Sequence, residues 1–465
     1  MKGTLFVGIA VVLASCGGGS VMESPAGDAA VDAGGGDDTT AAGGADGAVG
    51  NPVDALPDPN YPAFQPDFGR IVNNNGYVMK NPVVVPVTWD MDPSQATLEA
   101  FVDGLGASSY WQTVGADYGV GPTTSGAANH AHISGAPPAM LTESMDSNSD
   151  VGKLVLANVG TNWPAPTQDT IYAIFLTTTT TLLIPPETGM GAAGNACNEG
   201  IGGYHTSILP ATPGAGAIAY AVVVGCGDPN DPTSAAQEST YSMSHELIEA
   251  ATDPYVENNN IGWEGFDTQH WAFDYFSELQ SETADACEFF REAAFLGDAS
   301  FPYALQRIWS NSSARAGHDP CVPVPADPYF NVTPLDLTSV SVTLPAAITG
   351  TTALRETTQG IRVPAGGTGT FTVGYYSDRP TSGPWSVKAT VGNPLVKNSS
   401  ADVLGALNPA TVTATIDHPT GQNGDKATVT VSVTSTGAAF HGELITLTST
   451  LGSVRHYMPI WISGD

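Results

Sequence analysis

Apolar positions along this chain fall into distinct regimes. Residues 5–14 form a short unbroken apolar run, about the length of a signal-peptide core. It is too short to cross a bilayer, which takes about twenty residues. Residues 17–60 are then mostly Gly, Ala, Asp and Pro, without aromatics, and such a stretch buries too little apolar surface to offset the entropy of ordering. From Val78 onward regular patterning begins. The β-branched run at Val83–Trp89 predicts a buried strand. Leu98, Phe101, Val102 and Leu105 recur at helical spacing within residues 93–105. Further helices are expected at 108–118 and 150–159, and strands at 170–177 and 217–224. This alternation of helices and strands predicts a mixed α/β sheet.

The next helix carries most of the interest. Ser234 with Gln237 three residues on matches a capping box, helix-compatible residues run to Thr252, and Asp253-Pro254 supplies a stop. Leu247, Ile248 and Ala251 form its buried stripe. After about Asp327 the pattern changes to short Thr/Val-rich alternating runs at 339–344, 370–375, 410–416, 426–433 and 443–449. Separated by Gly, Pro and Asn, these predict an all-β, immunoglobulin-like sandwich of ordinary size. It shows no catalytic constellation and reads as an accessory module.

Composition narrows the partners. The chain has 465 residues with 46 acidic against 14 basic side chains, a formal net charge of −32. Such a charge repels nucleic acid and anionic membrane surfaces, and it favours solubility outside the cell. Five cysteines fit export. The apolar run ends in Leu13-Ala14-Ser15-Cys16, which resembles the lipobox of bacterial lipoproteins. That resemblance implies cleavage before Cys16 and a lipid on its sulfur, so the membrane is a partner through that anchor. Residues 17–60 would be a tether of roughly 35 Å end to end. Cys197, Cys226, Cys287 and Cys321 then remain, and in an oxidising compartment they read as two disulfides. Three pairings exist; Cys197–Cys226 with Cys287–Cys321 is preferred because each brackets a compact stretch.

Candidate chemistry lies at residues 244–254, Ser-His-Glu-Leu-Ile-Glu-Ala-Ala-Thr-Asp-Pro. His245 and Glu249 are four apart, so a helix places them on one face where both can hold a single ion. Glu246 follows the histidine where zincin metallopeptidases keep their general base. Glu249 stands where those enzymes have a second histidine, and a carboxylate ligand leaves the ion a weaker Lewis acid. Glu282 is the expected third ligand, with Asp285 orienting His245. Asp253 competes as a ligand, although its place before a proline also fits simple helix termination. His205 is a further candidate, more readily taken as a hydrogen-bonded structural histidine. Asp146, Asn148, Asp150 and Gly152 resemble part of a calcium loop. The glycine falls one place late and no Glu closes the loop, so a helix-capping turn is expected there.

Residues 76–119, with Gly76-Tyr-Val-Met-Lys-Asn-Pro-Val-Val-Val-Pro-Val-Thr-Trp89 and Tyr110-Trp-Gln-Thr-Val114, resemble the start of the phosphate-induced, EXORDIUM-like family of secreted proteins. Gly203-Tyr204-His205, the 244–254 helix, the 282–287 stretch and Ile308-Trp-Ser-Asn311 before Cys321 follow that family's order. The resemblance covers about residues 70–323. It implies an extracellular protein; no established enzymatic activity comes with it.

The expected organisation is therefore a lipoprotein signal at 1–16, a tether at 17–60, an α+β (mixed α/β, zincin-like) domain at 61–326 and the sandwich at 327–465. Two functions compete. One is a surface-tethered zinc metallohydrolase acting on peptides, with His245, Glu249 and Glu282 on zinc and Glu246 activating water. The other is a non-catalytic surface protein that binds glycan, matrix or protein, any metal being structural.

Overall fold

The computed structural model describes residues 60–464 apart from 145–146, 185–193, 211–215, 229, 256–259, 278–280, 289–292, 345–353, 396–410, 435–439 and 441. The signal, the lipidation site Cys16 and the tether lie outside the described residues.

At the centre is a five-stranded sheet in the order Ala131–Ile133, Val83–Trp89, Thr170–Phe175, Ile218–Val223, Gly203–Ile208. The first four strands run parallel, and Gly203–Ile208 pairs antiparallel at the far edge. Its inner strands read as continuous apolar runs because both faces are covered. On one face Val84, Ile171, Ala173, Ala219 and Ala221 pack with Phe101, Leu105, Met243, Leu247 and Ile248 of the helices Gln95–Leu105 and Pro232–Thr252. On the other face Val85, Tyr172, Ile174, Tyr220 and Val222 pack with Val151 and Val155 of the helix Asp150–Asn158.

The expected elements appear with small shifts. The second helix is shorter than expected, Ser109–Gly115, capped by Ser108. The long helix starts earlier than the capping-box pattern implies. Asp231 is the N-cap, accepting from Thr233 N at 3.1 Å and Ser234 N at 3.2 Å, and Pro232 occupies the first turn. A proline there costs nothing because its missing N–H had no helical partner. Around the calcium-like residues, Ser149 caps the next helix by accepting from Gly152 N at 2.9 Å, and Thr142 donates its N–H and hydroxyl to Asp150. Asp146 lies outside the described residues. Both expected disulfides form, Cys197–Cys226 and Cys287–Cys321.

The β-rich tail is two sheets. One has the order Phe330–Pro334, Thr368–Ser377, Lys426–Val433, Val412–Ile416. The other has six strands, including Leu354–Arg362, Trp385–Val391, Gly442–Leu451 and Val454–Ser463. Pairing is antiparallel except between Gly360–Arg362 and Trp461–Ser463. Val332, Phe371, Val373 and Val431 from the first sheet share one cluster with Trp385, Ile445, Leu447 and Ile460 from the second. That same cluster runs on into the central part: Phe68 lies 6.0–6.5 Å from the rings of Phe273, Trp309, Tyr329 and Tyr376. The helix Trp271–Phe276 presses on Trp461 through Trp271 and Tyr275. Residues on both sides of residue 327 thus contribute to one apolar cluster.

Candidate metal centre

The long helix passes beneath the antiparallel edge strand, and the two supply the heart of a buried polar cluster. His245, Glu246 and Glu249 come from the helix, His205 from the strand, and Asp253 from the helix end. The turn holding Glu282 and the short helix Asp285–Glu288 close it from the other side, tied by the Cys287–Cys321 bond to the strand Cys321–Val322. All eight side chains are buried, six carboxyls against two imidazoles. Each ion pair the carboxyls make is with His205 or His245.

Distances define how the groups face one another. His245 Nε2 lies 2.9 Å from Glu249 Oε2 and 3.4 Å from Asp285 Oδ1. His205 Nδ1 lies 3.7 Å from Glu246 Oε2, 3.8 Å from Glu249 Oε2 and 3.7 Å from Glu282 Oε2. Ligand atoms about 2 Å from a common tetrahedral ion are roughly 3.3 Å apart, so this spacing suits a shared cation. Two ligand sets emerge, His245–Glu249–Asp285 and His205–Glu249–Glu282, with Glu249 in both.

The supports are as specific as the ligands. His245 Nδ1 sits 3.0 Å from Gln306 Oε1, and that amide is held by donating to Ala284 O at 2.9 Å. Because Gln306 Oε1 can only accept there, Nδ1 carries the proton and Nε2 is left to face the carboxylates. Glu249 Oε1 accepts from the backbone N–H of Ala284 and Asp285 at 2.9 and 3.2 Å, which aims Oε2 at the imidazoles. Glu246 has no hydrogen bond on either oxygen. Room for it is made by Gly203, where a Cβ would meet Glu246 Oε1 at 2.6 Å and Cγ at 2.9 Å.

Orphaned atoms mark where a positive charge could be held. Both oxygens of Glu246, Glu282 and Glu288, one oxygen of Asp253 and Nε2 of His205 have no hydrogen-bond partner. Buried charge is costly unless paired. With imidazoles as the sole cations, the acids respond accordingly. Burial and the neighbouring acids Glu249 and Asp285 push Glu282 well up, burial pushes Glu288 well up, and burial lifts Asp253 to about 6. Half-buried Glu264 rises to about 7 through burial and the nearby Asp253 and Asp285. For His245 burial opposes the charge, but Glu249 and Glu246 outweigh it and hold the imidazole well above its usual range. His245 stands in for part of the charge that a divalent ion would supply.

The sequence-derived residues thus converge, with roles rearranged. Glu282 groups with His205, whereas Asp285 takes the place beside His245 Nε2. The group that orients His245 is Gln306. His205 faces three carboxylates, against the expectation of a hydrogen-bonded structural histidine. Asp253 both ends the helix and presents a free oxygen toward the cluster. Gln306 and Glu288 have no signal in the sequence, since each reaches the cluster by a tertiary contact and neither belongs to a motif; Gly203 enters only as part of Gly203-Tyr204-His205, with no role attached to it. These groups fit a divalent ion of borderline character: imidazole nitrogens suit zinc, and carboxylates tolerate zinc, manganese or iron.

No family model and no curated protein matches this chain. The solved structures that resemble part of it include two from a surface-layer protein. Domains 4 and 5 of the S-layer protein SbsC are 16% identical over 37% of this chain and 90% of that chain, with a TM-score of 0.14. Domains 1–6 of the surface layer protein SbsC are 14% identical over 37% of this chain and 25% of that chain, also at 0.14. Likeness that loose carries no argument about function.

Proposed function

We propose that this is an exported protein built around a buried divalent-cation centre, and that the centre is a zincin-like metallohydrolase acting on peptides. The observation that carries the cation is the set of unpartnered carboxyl oxygens converging on His205 and His245. The disulfides fit an oxidising compartment. Among the described residues no helix is long and apolar enough to cross a membrane; the proposed anchor is a lipid at Cys16, on the lipobox-like Leu13-Ala14-Ser15-Cys16. The EXORDIUM-like and immunoglobulin-like resemblances fit this picture of an extracellular protein with a β-sandwich accessory domain.

In this reading His245, Glu249 and Asp285 hold the ion, with His205 and Glu282 completing or sharing it. Zinc bound there would supply Lewis acidity and lower the pKa of water. Glu246 is the base: its carboxylate is unbonded, next to His205, and already pushed up by burial, as suits a group that must take and return a proton near neutral pH. One observation favours a second reading. The side chains of His205, His245, Glu246 and Glu249 are no more than 3 % exposed, which suits a non-catalytic, structural ion in a surface-binding protein. Glu246→Gln separates the two. The catalytic reading predicts that hydrolysis of a mixed peptide substrate falls at least about 100-fold while bound zinc is retained. Unchanged hydrolysis with zinc still bound would leave only the structural ion.

A further inference from the structure

At the opposite edge of the central sheet a second cluster stands apart from the first. The two edges are four strand spacings apart, roughly 19 Å. His130 immediately precedes the edge strand Ala131–Ile133 and His132 lies within it, two apart in extended chain and so placed to project to the same side. Glu99 and Asp103 are four apart on the helix Gln95–Leu105, so they too share a face. These faces meet. Glu99 lies between the two rings, with Oε2 3.2 Å from His130 Nδ1 and Oε1 2.9 Å from His132 Nε2. Asp103 reaches His130 Nε2 at 3.0 Å, and Asp90 sits 3.7 Å from His132 Nδ1.

We propose that Glu99, His130 and His132 form a second, surface site for a transition-metal dication. Their ligand atoms lie within 4.8 Å of one another, and two imidazoles with one carboxylate is the donor set that zinc and its neighbours favour. The carboxylate is held in place before any ion arrives: Thr88 Oγ1 donates to Glu99 Oε1 at 2.9 Å and is itself fixed by Gln95 Nε2 at 3.1 Å. Such a support behind a ligand is what a metal site needs to keep its geometry. Three carboxylates and two imidazoles gather here, and among the described residues the ion pairs of Glu99, Asp103 and Asp90 are with histidines. The local field therefore attracts a cation. Glu99 and His130 are mostly covered at 14 % and 12 % side-chain exposure, while His132 at 46 % leaves one side open to solvent. Three protein ligands and an open position make a site that exchanges its ion and can take a further ligand from outside.

The test is zinc stoichiometry of the purified full chain after equilibration in zinc-buffered solution. The His130→Ala/His132→Ala variant is expected to bind one equivalent fewer than the parent, with an unchanged melting temperature in zinc-free buffer. Glu99→Gln is expected to weaken that same equivalent at least about tenfold. His245→Ala, which removes a ligand of the buried centre, is expected to leave it in place, so failure of one site is not failure of the other. Equal zinc content in the parent and the double-histidine variant would overturn the proposal, as would a zinc equivalent insensitive to Glu99→Gln.

Discussion

The β-rich tail and the central part of this chain treat buried polar groups in opposite ways. In the tail, Asn331 is fully engaged: Nδ2 donates to Tyr329 Oη and Tyr457 O at 3.1 Å, and Oδ1 accepts from Ser449 Oγ at 2.9 Å. Buried Glu443 accepts from Leu444 N–H at 3.0 Å. The tail atoms left without a partner are neutral, such as the Ser377 hydroxyl and the Trp385 indole nitrogen. In the central part neutral orphans such as Thr206 Oγ1 and Trp309 Nε1 occur too, but beside them carboxyl oxygens of Glu246, Asp253, Glu282 and Glu288 gather at one cluster. A neutral orphan costs about 1–3 kcal/mol; an unpaired buried carboxylate costs several, unless it takes up a proton. The tail leaves neutral groups unpartnered, whereas the centre gathers buried carboxyl and imidazole groups that could hold a metal ion.

Chelation breaks this contrast most severely. An ion bound about a thousandfold above its dissociation constant contributes about 4 kcal/mol, so EDTA should lower the melting temperature by roughly 5–10 °C. Calorimetry with and without zinc checks this. The loss should be confined to the central part, with hydrogen exchange of the tail strands unchanged.

Gly203→Ala comes next. The added Cβ meets the Glu246 side chain at 2.6 Å, so Glu246 must leave its place or the strand must shift. A cost of about 1–3 kcal/mol is expected. Peptide hydrolysis should be lost, with zinc content near that of the parent, as for Glu246→Gln. Full activity in Gly203→Ala would show that the position of Glu246 is immaterial.

The smallest effect lies at the contact between the two regions. His270 bridges Asp267 at 2.8 Å and Asp67 at 3.0 Å. Burial lowers its pKa, but the two aspartates more than reverse this and raise it to about 9 from 6.5. A raised histidine stabilises the fold fully below pH 6.5 and loses that contribution as pH rises through 9. Because Asp67 is 43 % exposed, screening leaves on the order of 1 kcal/mol. Denaturant midpoints between pH 6 and 10 should fall in the parent and stay flatter in His270→Gln.

Much of the fold was legible because each inner strand carries its own burial. Val83–Trp89 and Lys426–Val433 follow the sequence pattern closely. Leu354–Arg362, Trp385–Val391 and Val454–Ser463 were not visible: polar residues interrupt the first two, and Pro459 interrupts the last. The helix start was misplaced because Ser234…Gln237 and Asp231-Pro232 are both valid caps, and only the backbone chooses. At the site, His245 and Glu249 were legible from helical spacing alone. Gln306, 61 residues from His245, and Gly203, opposite Glu246, act through contacts that no local pattern encodes. A lone histidine on a buried strand, such as His205, says nothing until its neighbours are known.

The central claim is best tested by counting zinc at the buried centre with the surface site removed. In the His130→Ala/His132→Ala background, the chain is predicted to hold at least one zinc after gel filtration, and Glu249→Gln is predicted to abolish it. A background chain that stays zinc-free after saturation, with its melting temperature unmoved, would contradict the account.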